Sequence, residues 1–173
     1  VENSISSGKK INYVIQKNQL GTAHAAKQAI PLLRKNSVSV VLYGDAPLVT
    51  RKTLNKLVNS AASGRLALLT YKKEDPSGYG RIVRGPKQNI LKIIEHKDAT
   101  SKEREIKEVN SGILAVKTTS LQQLLPSIKN NNAAKEYYLT DLIEIANKQS
   151  ISVRATLCDC LLYTSDAADE SSS

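Results

Sequence analysis

An α/β domain built on a mostly parallel sheet is what this sequence predicts, on three observations. The runs SVSVVLYG (37–44) and LALLTY (66–71) are apolar, rich in β-branched or aliphatic residues and of strand length, the pattern of strands covered on both faces. Segments with apolar residues at helical spacing alternate with them. The resulting β-α-β-α-β order is that of a doubly wound sheet.

Taken in order, INYVIQ (11–16) reads as a strand. Ala26, Ala29, Ile30 and Leu33 then place a helix over about 22–35 with one face on a core. After the 37–44 strand, Thr50 is an N-cap for a helix carrying Leu54, Leu57, Val58 and Ala61, stopped near Gly64. LALLTY is the next buried strand. Beyond EDPSGYG the character changes: RIVRG and NILKIIEH form two strands joined at Gly85-Pro86, and VNSGILAV (109–116) forms another. Two helices follow, one bearing Leu121, Leu124, Leu125 and Ile128, the other Leu139, Leu142, Ile143 and Ala146; ISVRATL (151–157) is the last strand. The middle is thus an antiparallel insertion on an α/β core. No internal repeat is present, and nothing resembles a hexapeptide β-helix. The polar, aperiodic SDAADESSS at the end is expected to be disordered.

A chain of 173 residues, 40% apolar and 24% charged, suits one soluble domain with a real core. No apolar run approaches the roughly 18 residues of a membrane span, and VENSISSGKK is no signal peptide, so the cytoplasm is the default location. Methionine is absent, position 1 included, which points to a fragment or a processed product. Cys158 and Cys160 form a lone C-x-C and His24 and His96 are the only histidines, so free thiols are expected rather than a zinc site. Net charge is +9, and Asp166, Asp169 and Glu170 sit in the tail, so the body is more basic still. A lysine-rich solvated surface accounts for this, as does a polyanionic partner. With the lysines dispersed and no Phe or Trp to stack bases, a phosphate-bearing small molecule is favoured over RNA.

Several stretches carry candidate chemistry. In VVLYGDAPLVT, Asp45 ends a buried strand, where open α/β sheets bind ligands and a carboxylate can hold Mg²⁺; an Asp in a turn before Pro47 looks the same. In QLGTAHA, Gly21 allows close backbone approach and the first helical amides can face an anion or a base carbonyl, while Gln16 offers both donor and acceptor to a nucleobase. An ordinary Gly-Thr helix start is the alternative, with His24 a helix-face residue. DPSGYGRI packs Pro76, Gly78 and Gly80 more densely than a strand connection needs. Glu95 at a strand end and Asn110 inside the next strand suit hydroxyl and amide recognition on a sugar, or are simply exposed. NNNAAKEYYLTDLI reads as a polar loop followed by an amphipathic helix packed by Tyr138, Leu139 and Leu142. Catalytic Ser/His/Asp or Cys/His sets, a P-loop and G-x-G-x-x-G are all missing from the sequence.

In their order along residues 9–157, the blocks Q-x-x-Q-L-G-T-A-H-A, L-Y-G-D-A-P-L, D-P-S-G-Y-G-R-I, I-x-E-H-K-D-A, V-N-S-G-I and N-N-N-A-x-x-E-Y-Y-L-T-D-L-I resemble a known family. It is the uridylyltransferase (pyrophosphorylase) domain of bacterial bifunctional UDP-N-acetylglucosamine pyrophosphorylase/glucosamine-1-phosphate N-acetyltransferase. The resemblance implies a Rossmann-like nucleotidyltransferase fold. It also implies the Mg²⁺-dependent reaction of UTP with N-acetylglucosamine 1-phosphate, giving UDP-N-acetylglucosamine and pyrophosphate for peptidoglycan and lipopolysaccharide synthesis in the cytoplasm. By the same resemblance Gln16, Gly21 and Thr22 hold the uridine, and Tyr43, Gly44 and Asp45 run along the nucleotide, with Asp45 the catalytic metal ligand. Gly80, Glu95 and Asn110 surround the sugar. Neither a membrane nor nucleic acid is an expected partner, and a homo-oligomer is expected only if the acetyltransferase domain is present. The family's opening G-x-G-T-R loop and lysine have no match here, and CDCLLYTSDAADESSS departs from the family and looks like translated adapter sequence. The expectation is therefore a partial domain over 1–157, truncated at both ends and inactive alone, with a non-family tail at 158–173. The alternatives are a pyrophosphorylase for another sugar 1-phosphate and a non-enzymatic module that binds RNA or another anion.

Overall fold

Leu66 and Leu68 face one hydrophobic core while Ala67 and Leu69 face another, the two-residue alternation of a strand buried on both sides. A computed structural model of the chain describes residues 11–44 and 49–158. Asp45 and the tail segment SDAADESSS, both singled out above, fall outside the described residues. The strands are β1 (Val38–Val41), β2 (Leu66–Lys72), β3 (Arg81–Arg84), β4 (Ile90–Ile94), β5 (Glu108–Lys117) and β6 (Val153–Leu157). The helices are α1 (Thr22–Ala29), α2 (Arg51–Ala62), α3 (Ser101–Arg104), α4 (Thr118–Leu124) and α5 (Leu142–Lys148).

The sheet runs β4-β3-β5-β2-β6, with β1 pairing the outer half of β5. The β1-α2-β2 unit does give two strands of the same direction, but they are not neighbours. Each pairs antiparallel with β5, which lies between them. Only β2 and β6 form a parallel ladder among the described residues. A helical crossover fixes the direction of a strand and not its neighbour, so the sheet is mixed where sequence order predicts mostly parallel pairing. The antiparallel insertion is present, as the β3–β4 hairpin turned at Gly85 through the Gln88 N–H to Gly85 carbonyl bond of 2.9 Å.

Helices cover both faces. Leu57 and Ala61 of α2 pack on Ala67, Leu69, Ile113 and Ala115. On the opposite face Leu121 and Leu124 of α4 and Leu142, Ile143 and Ala146 of α5 join Leu66, Leu68, Leu114 and Val116, with Ala26, Ile30 and Leu33 alongside. The Thr50 hydroxyl accepts from the Thr53 N–H at 3.2 Å, the cap read from sequence, and Gly64 leaves α2 at φ 92°. Between β3 and β5, Arg84 grips Glu108 through two 2.7 Å bonds.

Three elements differ from the sequence reading. INYVIQ pairs with no strand among the described residues, and Tyr13, Val14 and Ile15 are exposed. Its apolar, β-branched composition fits a sheet, yet a strand exists only with a partner to complete its ladder. The 22–35 helix ends early: Pro31 falls in a 3₁₀ turn at Ile30–Leu32, and Leu33 is already extended. Helix α3 is unanticipated, although T-S-K-E spells a capping box, with Thr100 and Glu103 reciprocally bonded.

Because Leu57 is fully buried, Leu57→Ala is expected to cost about 2–5 kcal/mol in urea unfolding, and Thr50→Ala about 1 kcal/mol. Equal losses would show that α2 is held by its cap rather than by the core.

Candidate functional site

At the ends of β1 and β2, beyond their carboxyl termini, seven segments close on a cleft of about 320 Å³. Its floor is Asn110, Ser111 and Gly112 of β5. Tyr43, which follows β1, and Tyr71 of β2 rise from the floor, and the loop before β3 contributes Gly78, Tyr79 and Gly80. Glu95 stands just past β4, Thr22 opens α1, and Glu136 and Tyr138 come from the strip leading into α5.

Asn110 reaches the cleft because β5 is bulged. The pairing with β2 slips between Leu68↔Leu114 and Thr70↔Asn110, so β5 carries extra residues at 111–113. The Ser111 hydroxyl mends the gap: it donates to the Leu69 carbonyl at 2.7 Å and accepts the Ile113 N–H at 3.2 Å. Gly112 supplies the left-handed backbone, φ 78°. Such bulges break a buried ladder and re-aim side chains. The Asn110 N–H is then fixed to the Gly80 carbonyl at 2.8 Å, which ties floor to loop.

The opposite wall is a crossing of two backbones. Ala23 donates to the Tyr137 carbonyl and Tyr137 to the Leu20 carbonyl, both at 2.8 Å, while the Leu139 N–H reaches the Thr22 hydroxyl at 2.9 Å. Gly21 is what lets them meet, since a Cβ there would lie 2.6 Å from the Tyr137 carbonyl oxygen. The close approach read at Gly21 is therefore made to the chain's own backbone. Gln16 is drawn to the same corner: its side-chain amide nitrogen donates to the Gly21 carbonyl at 3.1 Å and lies 3.0 Å from His24 Nδ1.

Of the residues singled out in the sequence, Thr22, Tyr43, Gly80, Glu95 and Asn110 meet in the cleft. Gln16, Gly21 and Gly44 lie outside its lining, and Asp45 is not among the described residues. Sequence reasoning misses Tyr71, Tyr79, Glu136 and Tyr138. The sequence pattern places Tyr138 in helix packing, but it precedes the helical turn in extended backbone, φ −81° and ψ 126°, and lines the cleft. The signal was the doubled Tyr of E-Y-Y-L-T-D, whose two rings face opposite sides: Tyr137 lines a separate cavity with His24 and Lys27.

The cleft is locally acidic although the chain is basic: among the described residues Glu95 and Glu136 line it, and no Lys or Arg does. Thr140 donates to Glu95 Oε1 at 2.9 Å. Burial still raises the Glu95 pKa, with the nearby Asp98 adding to it. Burial also raises the Tyr138 hydroxyl, with Asp98 and Glu95 contributing. Asp141, beside this group, is pushed up to about 6 by burial and then by Glu144, Glu95 and Asp98. Beneath the loop, the buried Arg81 guanidinium donates to the Tyr79 carbonyl and, at 3.1 Å, to His96 Nδ1, so His96 accepts there. Edge-on contact with Tyr71, 6.0 Å between centroids, and Lys73 5.1 Å over its ring fix Tyr79. Carboxylate, amide and aromatic faces around one concavity suit a ligand rich in hydroxyl groups. No group of three or more His, Cys, Asp or Glu placed to hold a metal ion occurs among the described residues, nor any helix long and apolar enough to cross a membrane.

A carboxyl whose pKa is raised on folding holds its proton more tightly in the native state, so stability falls as pH climbs from about 4 towards 6. Asp141→Asn is therefore expected to raise the urea midpoint at pH 7.5 and leave it nearly unchanged at pH 4. A lower midpoint at pH 7.5 would mean that the Asp141 charge is compensated.

The nucleotidyl transferase family profile matches residues 1–156. Among curated proteins, the chain is 49% identical over 143 residues to the bifunctional protein GlmU of Cellvibrio japonicus, covering 83% of this chain and 32% of that protein. It is 48% identical over 143 residues to the same-named protein of Marinobacter nauticus, at the same coverage. For the Burkholderia multivorans protein the figure is 48% over 136 residues, 79% of this chain and 30% of the relative. The chain thus spans about a third of the length of these relatives. The family match takes in every residue that lines the cleft, and the chain belongs to the nucleotidyl transferase family.

Proposed function

We propose that this chain is the sugar- and uridine-binding part of an enzyme that transfers a uridylyl group from UTP to N-acetylglucosamine 1-phosphate, releasing pyrophosphate. The observation that carries the reading is the convergence of Thr22, Tyr43, Gly80, Glu95 and Asn110, drawn from five separate segments, on one cleft of sugar-sized volume. In this reaction a phosphate oxygen of the sugar phosphate attacks the α-phosphorus of UTP in line, the new P–O bond forms, and the bond to pyrophosphate breaks. Positioning and charge neutralisation carry such a transfer.

In this reading the Glu95 carboxylate accepts sugar hydroxyls, the Asn110 amide meets the N-acetyl group, and Gly80 lets the sugar approach the backbone. Gln16, Gly21 and Thr22 serve the uridine, and Tyr43 and Gly44 run along the nucleotide. Asp45 would hold Mg²⁺ through a hard carboxylate oxygen; the bound ion neutralises phosphate charge. UTP, N-acetylglucosamine 1-phosphate and UDP-N-acetylglucosamine are the partners, and the cytoplasm is where they meet.

Calorimetric titration of the chain with UDP-N-acetylglucosamine tests this. Binding that weakens on the order of tenfold in Asn110→Ala supports it, since a buried partner left unsatisfied costs about 1–3 kcal/mol. Equal affinity for UDP-glucose would move the substrate to another sugar phosphate. Indifference to nucleotide sugars with salt-steep binding of an RNA oligonucleotide would replace the enzyme with an anion-binding module.

A further inference from the structure

We propose that Gly112 is a positioning residue: its bare Cα in the β5 bulge seats the Tyr43 ring and so sets the wall of the cleft between the sugar and the strand end. The inference rests on the sugar-nucleotide reading above and extends it to a floor residue that has no side chain to offer a ligand. The β1–β5 ladder steps from Val38↔Lys117 to Val41↔Leu114, and continued by two positions that register brings Tyr43 opposite Gly112. Ladder pairing has stopped by then, and the ring lies over the glycine instead. A Cβ on Gly112 would stand 2.2 Å from Tyr43 Cε2 and 2.3 Å from Cδ2, far inside any tolerable contact. Gly64 has a similar backbone, φ 92°, but a Cβ there would meet nothing within 4 Å. The two glycines separate backbone strain from ring seating.

The seat also joins what sequence keeps apart. Asn110 lies two residues before Gly112 on the floor, anchored to Gly80, and Tyr43 directly precedes Gly44 and Asp45 in the chain. A side chain at 112 displaces the Tyr43 ring, while the ladder on either side of the bulge stays paired. Displacement of about 1 Å at a positioned group is enough for a loss of up to 10²-fold.

The test is a double-mutant cycle on the full chain, read by UDP-N-acetylglucosamine affinity and by thermal unfolding without ligand. Gly112→Ala is expected to weaken binding by about tenfold or more. In a Tyr43→Ala background the same change should add no further loss of affinity and a smaller drop in Tm. Gly64→Ala should lower Tm and leave affinity unchanged. If Gly112→Ala does not fold, the Gly112→Ala/Tyr43→Ala variant should recover cooperative unfolding. Gly112→Ala behaving like Gly64→Ala, additive losses in the cycle, or a double variant that stays unfolded would each overturn the seat. Absence of binding by the unaltered chain would overturn the sugar-nucleotide reading instead, and the ligand-free Tm cycle would still decide the seat.

Discussion

Strands β2 and β5 are buried on both faces, and an interruption of the ladder lets a strand so placed turn a polar side chain to a cleft. The interruption at Ser111 and Gly112 does this: the extra residues turn Asn110 to the cleft, and the Ser111 hydroxyl satisfies the groups that the bulge releases. The other parts of the cleft then follow. The loop before β3 is held by the Asn110 N–H, Glu95 arrives on the hairpin that β3 forms with β4, and β1 delivers Tyr43 to the far side of β5.

Charge is distributed with the same economy. The chain carries +9, yet the cleft gathers Glu95 and Glu136, with Asp98 and Asp141 behind them. Carboxylates held close together and partly buried raise one another's pKa, as at Asp141, and they offer acceptors in place of cations. That balance suits neutral hydroxyl groups at this end of the site.

The layers were legible because their causes are local. Leu66 to Leu69 alternate between two cores, Thr50 caps α2, and Gly64 ends it, each from residues within one turn or one strand. Five candidate ligand residues could also be named, since Gly, Glu, Asn, Tyr and Thr at element ends carry recognisable chemistry. What escaped depends on partners far along the chain. INYVIQ has strand composition but no pairing strand among the described residues, and β5 inserts between β1 and β2 although nothing in either run announces it. Tyr138 is set by the bonds of its neighbours to residues 20–23 and not by the helix it adjoins. The capping box at Thr100 was local and simply short.

The backbone crossing at Gly21 has a kinetic meaning. The Leu139 N–H and the Thr22 hydroxyl are 117 residues apart, so the contact closes one of the longest loops available to the chain. Loop-closure entropy grows with length, and contacts of such separation are rewarded only after the intervening sheet has formed. The wall that Gly21 makes possible is therefore expected to close only after the sheet has formed. Ala23 and Leu139, buried in the core shared with α4 and α5, then hold it closed.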